Sequence, residues 1–222
     1  MQDRHMLNAT ATQQGTVEIN KVLKNTYMLL SMTLLFSAFT AGVGIAIGLS
    51  QMAALGCMIA AFVMLFVTNK NANSSKGLIC VFVFTGLLGL SLGPMLSYYL
   101  AMPNGPGMVM QALGGTAIIF FALSGYALVS RKDFSFMGGF LFVGLIVVLL
   151  ASIANIFFQM PAMYLATSSA IILIMSGLIL FDTSRIIHGG ETNYIRATVS
   201  LYLSLYNIFI HLLSLLGIMG DD

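Results

Sequence analysis

One carboxylate and a row of small polar side chains carry the chemistry this sequence can hold. Asp182 lies in S-G-L-I-L-F-D-T-S-R-I-I-H-G-G, the first of two apolar segments joined by a short polar turn containing Gly189, Gly190 and Glu191. Ile186 and Ile187 continue its helix to the Gly189–Gly190 pair, where glycine takes the left-handed cap conformation without a Cβ penalty. At ~1.5 Å per residue the carboxylate then sits ~9 Å inside the helix end. Burial penalises a charge there, and Arg185, at i+3, is the local cation that supports it. Two roles fit. Asp182 is a proton- or cation-sensitive latch that holds a partner when charged and releases it when protonated, or it is a structural ion pair with Arg185, which snorkels to the headgroups.

Beyond the turn, Ser200, Ser204, Asn207, His211 and Ser214 recur at 4-3-4-3 spacing, which puts all five on one face of a helix. Lipid offers no hydrogen-bond partners, so this face must look into protein. It can line a site, with Ser204 and Asn207 across from Asp182, or tie helices together through bonds of about 0.6 kcal/mol each. His211 suits a hydrogen-bonded packing role better than that of a ligand. Ser152, Asn155 and Gln159, at 3-4 spacing on an earlier segment, are expected to line the same interior space. Ser124–Gly125 with His211 imitates a serine–histidine dyad, but Ala122–Leu123 leaves the G-x-S-G pattern half complete. The sequence has no H-E-x-x-H, no second intramembrane aspartate, no phosphate loop and no dinucleotide fingerprint. It points away from an enzyme.

The elements that position these residues are membrane helices. Hydrophobic residues make up 59% of the chain and charged residues 7%, and the mean hydropathy is +0.97. Soluble domains carry roughly 25% charged residues, so there is too little charge here to cover a water-facing surface. Continuously apolar runs of about 20 residues match a bilayer core and lack the period-2 alternation of a barrel strand. Cys57 and Cys80 show neither C-x-x-C spacing nor histidine partners, so no metal, cofactor or disulfide framework is indicated. The 16 methionines are too dispersed for a copper site, and no nucleic-acid partner is implied.

Spans are predicted at 26–48, 51–69, 77–99, 108–129, 136–158, 162–187 and 196–218, giving an all-α seven-helix bundle. Residues 1–25 form a polar tail, expected to be disordered at its start, and 219–222 a short tail at the other end. Arg4, Lys21, Lys24, Lys70, Lys76, Arg131, Lys132, Arg185 and Arg196 all fall before span one or in alternate connections. The connections at 49–50, 100–107 and 159–161 hold no basic residue. By the positive-inside rule the N-terminus is cytoplasmic and the C-terminus periplasmic. Gly44 and Gly48, and Gly89 and Gly93, form G-x-x-x-G pairs read as internal packing surfaces. Pro94 is expected to kink span three.

The stretch L-I-L-F-D-T-S-R-I-I-H-G-G-E-T-N-Y-I-R-A-T-V-S-L-Y-L-S-L-Y-N-I-F resembles the C-terminal signature of the transmembrane Bax inhibitor family, in its bacterial YccA-like branch. K-V-L-K-N-T-Y at 21–27, A-L-G-G-T-A at 112–117, R-K-D-F-S-F at 131–136 and A-N-I-F at 154–157 extend the resemblance over nearly the whole chain. It implies a seven-helix bundle around a central seventh helix, in the bacterial inner membrane. For the wider family it implies a pH-sensitive calcium leak gated by aspartates on the sixth and seventh helices. For the YccA-like branch it implies binding and restraint of the ATP-dependent membrane protease FtsH and its HflK–HflC partners. The sixth-helix aspartate corresponds to Asp182, but the seventh-helix position is Ser204 in L-Y-L-S. One carboxylate facing a hydroxyl cannot share a proton as two carboxylates do, and it is a poorer calcium ligand.

Overall fold

Each apolar run becomes a helix, because within hydrocarbon only a helix satisfies all of its own backbone groups. The computed structural model describes the backbone of residues 2–219 and the side chains of residues 18–218. In chain order the helices are α1 Gln2–Ala46, α2 Gln51–Asn71, α3 Ser75–Ser91, α4 Gly93–Leu100, α5 Gly105–Ser130, α6 Met137–Phe158, α7 Pro161–Ile187 and α8 Tyr194–Met219. Among the described residues, seven stretches are long and apolar enough to cross a membrane, with α3 and α4 together forming the third. The first ends at Ala46, and the edges of the other six agree with the sequence reading within three residues.

Local signals set the ends. The Ser50 hydroxyl accepts the Ala53 amide at 3.2 Å and caps α2. Pro94, Pro106 and Pro161 stand in the first turns of α4, α5 and α7, where a missing amide hydrogen costs nothing. Pro94 breaks span three at Leu92 into two helices, the distortion its position predicts. The backbone of α1 begins at Gln2, and the side chains of residues 2–17, where an irregular start is expected, lie outside the described residues.

The bundle is built around α8, which packs against α1, α3, α5 and α7. Leu201, Tyr202, Leu205, Ile208 and Leu213 on α8 are fully or nearly fully buried. Around them close Leu29 and Leu30 of α1, Val81, Phe84 and Leu88 of α3, Phe120 of α5 and Ile179 of α7. Because α8 is enclosed by other helices, its polar stripe faces protein rather than lipid.

Glycine lets α1 approach the third span. A Cβ on Gly93 would lie 2.8 Å from the Gly44 carbonyl carbon, and one on Gly44 would lie 2.8 Å from the Leu90 carbonyl oxygen. A Cβ on Gly89 would overlap Thr40 and the Ser37 backbone. Gly48, the other half of the first predicted pair, packs against nothing. It has φ +61° and ends α1 in the left-handed conformation. Its four-residue spacing from Gly44 reflects a helix cap, so only Gly44, Gly89 and Gly93 of the four are packing residues.

The peripheral α6 corrects a second expectation. It packs chiefly on α7 and buries little beyond Leu141 and Val148. Ser152 donates to the Val148 carbonyl of its own helix at 2.8 Å, and Asn155 accepts the Met160 amide at 3.0 Å. Gln159 is exposed as the left-handed cap of α6. These groups answer the backbone locally and do not line an interior space, because α6 lies at the edge of the bundle rather than beside α8. Lys21, Lys24, Lys70, Lys76, Arg131, Lys132, Arg185 and Arg196 all fall at one end of the bundle, hereafter the basic end.

Gly93→Ala should destabilise the bundle by about 1–3 kcal/mol, because backbone and not a flexible side chain faces the new methyl group. Gly56→Ala, which meets nothing within 4 Å, should be neutral or slightly stabilising. Reversible unfolding in mixed micelles distinguishes them, and equal effects would contradict the close approach of α1 to α4.

Candidate functional site

The sequence places its one intramembrane carboxylate on α7, and the fold delivers it to the first turns of α8. Asp182 is 7% exposed. The Ser200 hydroxyl donates to Asp182 Oδ2 at 2.5 Å across the α7–α8 interface. A hydrogen bond to a charged or partly charged acceptor is short, and it is worth more in a dry interface than at a surface. Ser200 therefore holds the position that the sequence reading gave to Ser204 and Asn207. Ser204 is buried one turn further along α8, and the Asn207 amide donates to the Leu203 carbonyl of its own helix at 2.8 Å.

Arg185 does not pair with Asp182. Its guanidinium turns toward the basic end, donating to the Gly190 carbonyl at 3.1 Å, lying 3.9 Å from Glu191 and covering the Phe181 ring at 5.5 Å. The i+3 spacing permits an Asp–Arg contact. Arginine, however, gains more by reaching the aqueous edge and a carboxylate there than by following Asp182 into the interface. Asp182 and Arg185 therefore form no ion pair in this structure. Glu191 also lies 3.9 Å from Arg196, so it bridges the cations flanking the turn.

The lower part of the α8 stripe behaves as hydrogen-bonded packing. His211 Nδ1 meets the Ser168 hydroxyl of α7 at 3.2 Å, and Ser214 is buried. Ser124 is instead bonded to Tyr27 and lies 3.3 Å from Thr183, so Ser124 and His211 form no dyad.

The turn is tied to both neighbouring connections. The φ of Gly189 is +73°, which lets the Gly190 and Glu191 amides fold back onto the Arg185 carbonyl at 2.8 and 3.2 Å. Asn193 then starts α8, its Oδ1 accepting the Ile195 and Arg196 amides at 2.9 and 3.1 Å. Its amide nitrogen reaches the α2–α3 connection, donating to the Ala72 carbonyl at 2.9 Å and to Asn73 at 2.7 Å. On the other side the Ser184 hydroxyl accepts the Phe134 amide at 2.9 Å, and His188 Nε2 lies 3.1 Å from the Arg131 carbonyl. In that α5–α6 connection the Ser135 hydroxyl and amide hold the Asp133 carboxyl below its ordinary range.

With this geometry in place, comparison with known proteins identifies the group. The family model described as "Inhibitor of apoptosis-promoting Bax1" matches residues 19–221. The chain belongs to the Bax inhibitor family. Relatives of this family member include an "Uncharacterized membrane protein" of Vibrio cholerae, 54% identical over 98% of both chains. The "Modulator of FtsH protease YccA" of Escherichia coli K12 is 51% identical over 98% of this chain and 99% of its own. An uncharacterized protein of Pseudomonas aeruginosa is 43% identical over 100% of this chain and 99% of its own. A second Escherichia coli relative is called an inner membrane protein, and with seven candidate spans this Bax inhibitor family chain is a multi-pass protein of the bacterial inner membrane.

Sequence reasoning missed Asn193, Ser184 and His188 as residues that join the three connections. Asn193 carries a readable signal, an asparagine directly before an apolar helical run. Ser184 and His188 carry none, because their partners are backbone groups of a connection some fifty residues away.

Asn193→Ala should cost about 1–3 kcal/mol, since it removes a helix cap and leaves the Ala72 carbonyl without its donor. Amide exchange should accelerate at residues 188–196 and also at 72–74. Acceleration confined to the α7–α8 turn would mean that Asn193 acts as a cap alone.

Proposed function

We propose that this chain is a non-enzymatic modulator that binds and restrains the FtsH membrane protease, meeting it in company with HflK–HflC. The observation that carries the reading is 51% identity, across nearly the full length of both chains, with the Escherichia coli protein named a modulator of that protease. The physical properties of the bundle are consistent with it. By the positive-inside rule the basic end is cytoplasmic, so the polar N-terminal residues and the turn at Gly189–Glu191 face the compartment of an ATP-driven protease. Such a machine acts by pulling on a chain end. Here the first span is held against α3 and α4 by backbone-close glycine contacts, and α8 is enclosed on most sides. A grip on the N-terminal segment then engages a substrate that resists extraction and occupies the protease.

Deleting residues 2–20 tests this directly. The shortened chain should still insert, since the apolar part of the first span is retained, but should co-purify with FtsH several-fold less and no longer slow degradation of a reporter. Unchanged association together with unchanged inhibition would overturn the proposed grip.

A second reading is a pH-sensitive calcium or cation leak gated at Asp182. The observation that favours it is the burial of this carboxylate between two helices with a hydroxyl, not a cation, as its partner. Under it, Asp182→Asn in dye-loaded proteoliposomes should abolish or fix a calcium flux that differs between pH 6 and pH 8 in the native chain. A native flux no greater than that of empty liposomes would remove this reading.

A further inference from the structure

A groove of about 310 Å³ opens at the basic end between α1 and α3, beneath Tyr194 of α8. Its lower walls are Met28, Leu29, Met32, Leu78 and Phe82, and Asn25 and Tyr194 stand at its upper rim. Met28 and Met32 are each about half exposed, so the trough is open along its side. On α1 the residues Lys21, Asn25, Met28 and Met32 follow 4-3-4 spacing, which stacks them on one face. Lys24 stands one turn above Met28 on the same side of the helix. The sequence from cation to polar rim to flexible apolar floor spans ~16 Å at ~1.5 Å per residue.

The two lysines are uncommitted. Both are exposed, and among the described residues neither lies within ion-pair distance of a carboxylate. Glu18, a further turn out along α1, leaves two cations against one acid at this rim. Lysine suits an anionic oxygen cluster as a mobile point charge, while methionine adapts its shape to a flexible chain.

We propose that this groove is a site for one anionic phospholipid, with an acyl chain along Met28, Met32, Leu78 and Phe82 and its phosphate at Lys21 and Lys24. Asn25 and Tyr194, placed at the rim, are then at the level of the glycerol and ester oxygens, where amphipathic side chains are favoured. Charge complementarity selects an anionic lipid over a neutral one, each lysine near the surface contributing about a five-fold preference.

The chain contains no tryptophan, so a single introduced one reports its own neighbours. The full-length Met28→Trp variant is reconstituted into vesicles of phosphatidylcholine containing brominated phosphatidylglycerol, or the reverse labelling, and fluorescence quenching gives the relative affinity for the two lipids. The expected result is a preference for phosphatidylglycerol between about five-fold, from one lysine, and about 25-fold, from both, lost when Lys21→Gln and Lys24→Gln are added. Val129→Trp, 86% exposed on α5 and two residues from Arg131, has cations nearby but is not part of this groove, and should show a clearly smaller preference. Met32→Trp serves as the reporter where Met28→Trp does not insert. Equal quenching by both lipids means that neutral lipid fills the groove, and it overturns the proposal. So does an equal preference at residue 129, or loss of preference on Lys132→Gln alone, since either assigns the effect to general surface charge.

Discussion

A carboxylate inside an apolar bundle must be answered by a donor, and the rest of this structure is compatible with the donor being Ser200. A buried charge without a partner costs several kcal/mol, which is a large part of the stability of a whole domain. Asp182 can meet Ser200 only if α7 and α8 run antiparallel with their basic-end turns in register. The cap at Gly189, the helix start at Asn193 and the Glu191 bridge set that register. Arg185 can leave the interface because Ser200 has taken its place there, and its departure supplies the cation that anchors the turn.

The same requirement organises the polar groups elsewhere. Tyr202 of α8 shares a hydrogen bond of 2.6 Å with Ser37 of α1, and Tyr206 one of 3.1 Å with Ser91 of α3. Thr198 donates to the Thr26 carbonyl of α1 at 3.2 Å. Successive turns of α8 are thus fixed to α1, α3 and α7 by groups that lipid could not satisfy. The tyrosines do this while filling space, which is why the central helix can be polar in places and still be the core. The spans tied in this way, α1, α3 and α7, cannot be drawn away from α8 without leaving these groups unsatisfied in lipid.

Much of this was legible in sequence because hydrocarbon leaves few choices. Apolar run length located the spans, and the alternation of basic and non-basic connections counted them. Pro94 marked the break at Leu92, and Gly189 marked the end of α7. The failures have a common cause. Spacing shows which residues share a face, but not which neighbour the face meets. The i+3 spacing points Asp182 to Arg185 and the family resemblance points it to Ser204, yet Ser200 lies at the right height across the interface. Ser152 and Asn155 have the spacing of an interior stripe, but α6 is peripheral and they answer their own backbone. Gly48 has the spacing of a packing motif and the φ of a cap. Each distinction depends on helix placement, which no local pattern encodes.

The account turns on whether Asp182 is held across the helix interface by Ser200 or along its own helix by Arg185. A double-mutant cycle in reversible unfolding, with Asp182→Asn combined separately with Ser200→Ala and Arg185→Gln, measures both pairings. The structure predicts a coupling of about 1 kcal/mol or more for the Asp182–Ser200 pair and a clearly smaller one for Asp182–Arg185. The reverse order would contradict the central geometry and return Asp182 to a structural ion pair at the membrane edge.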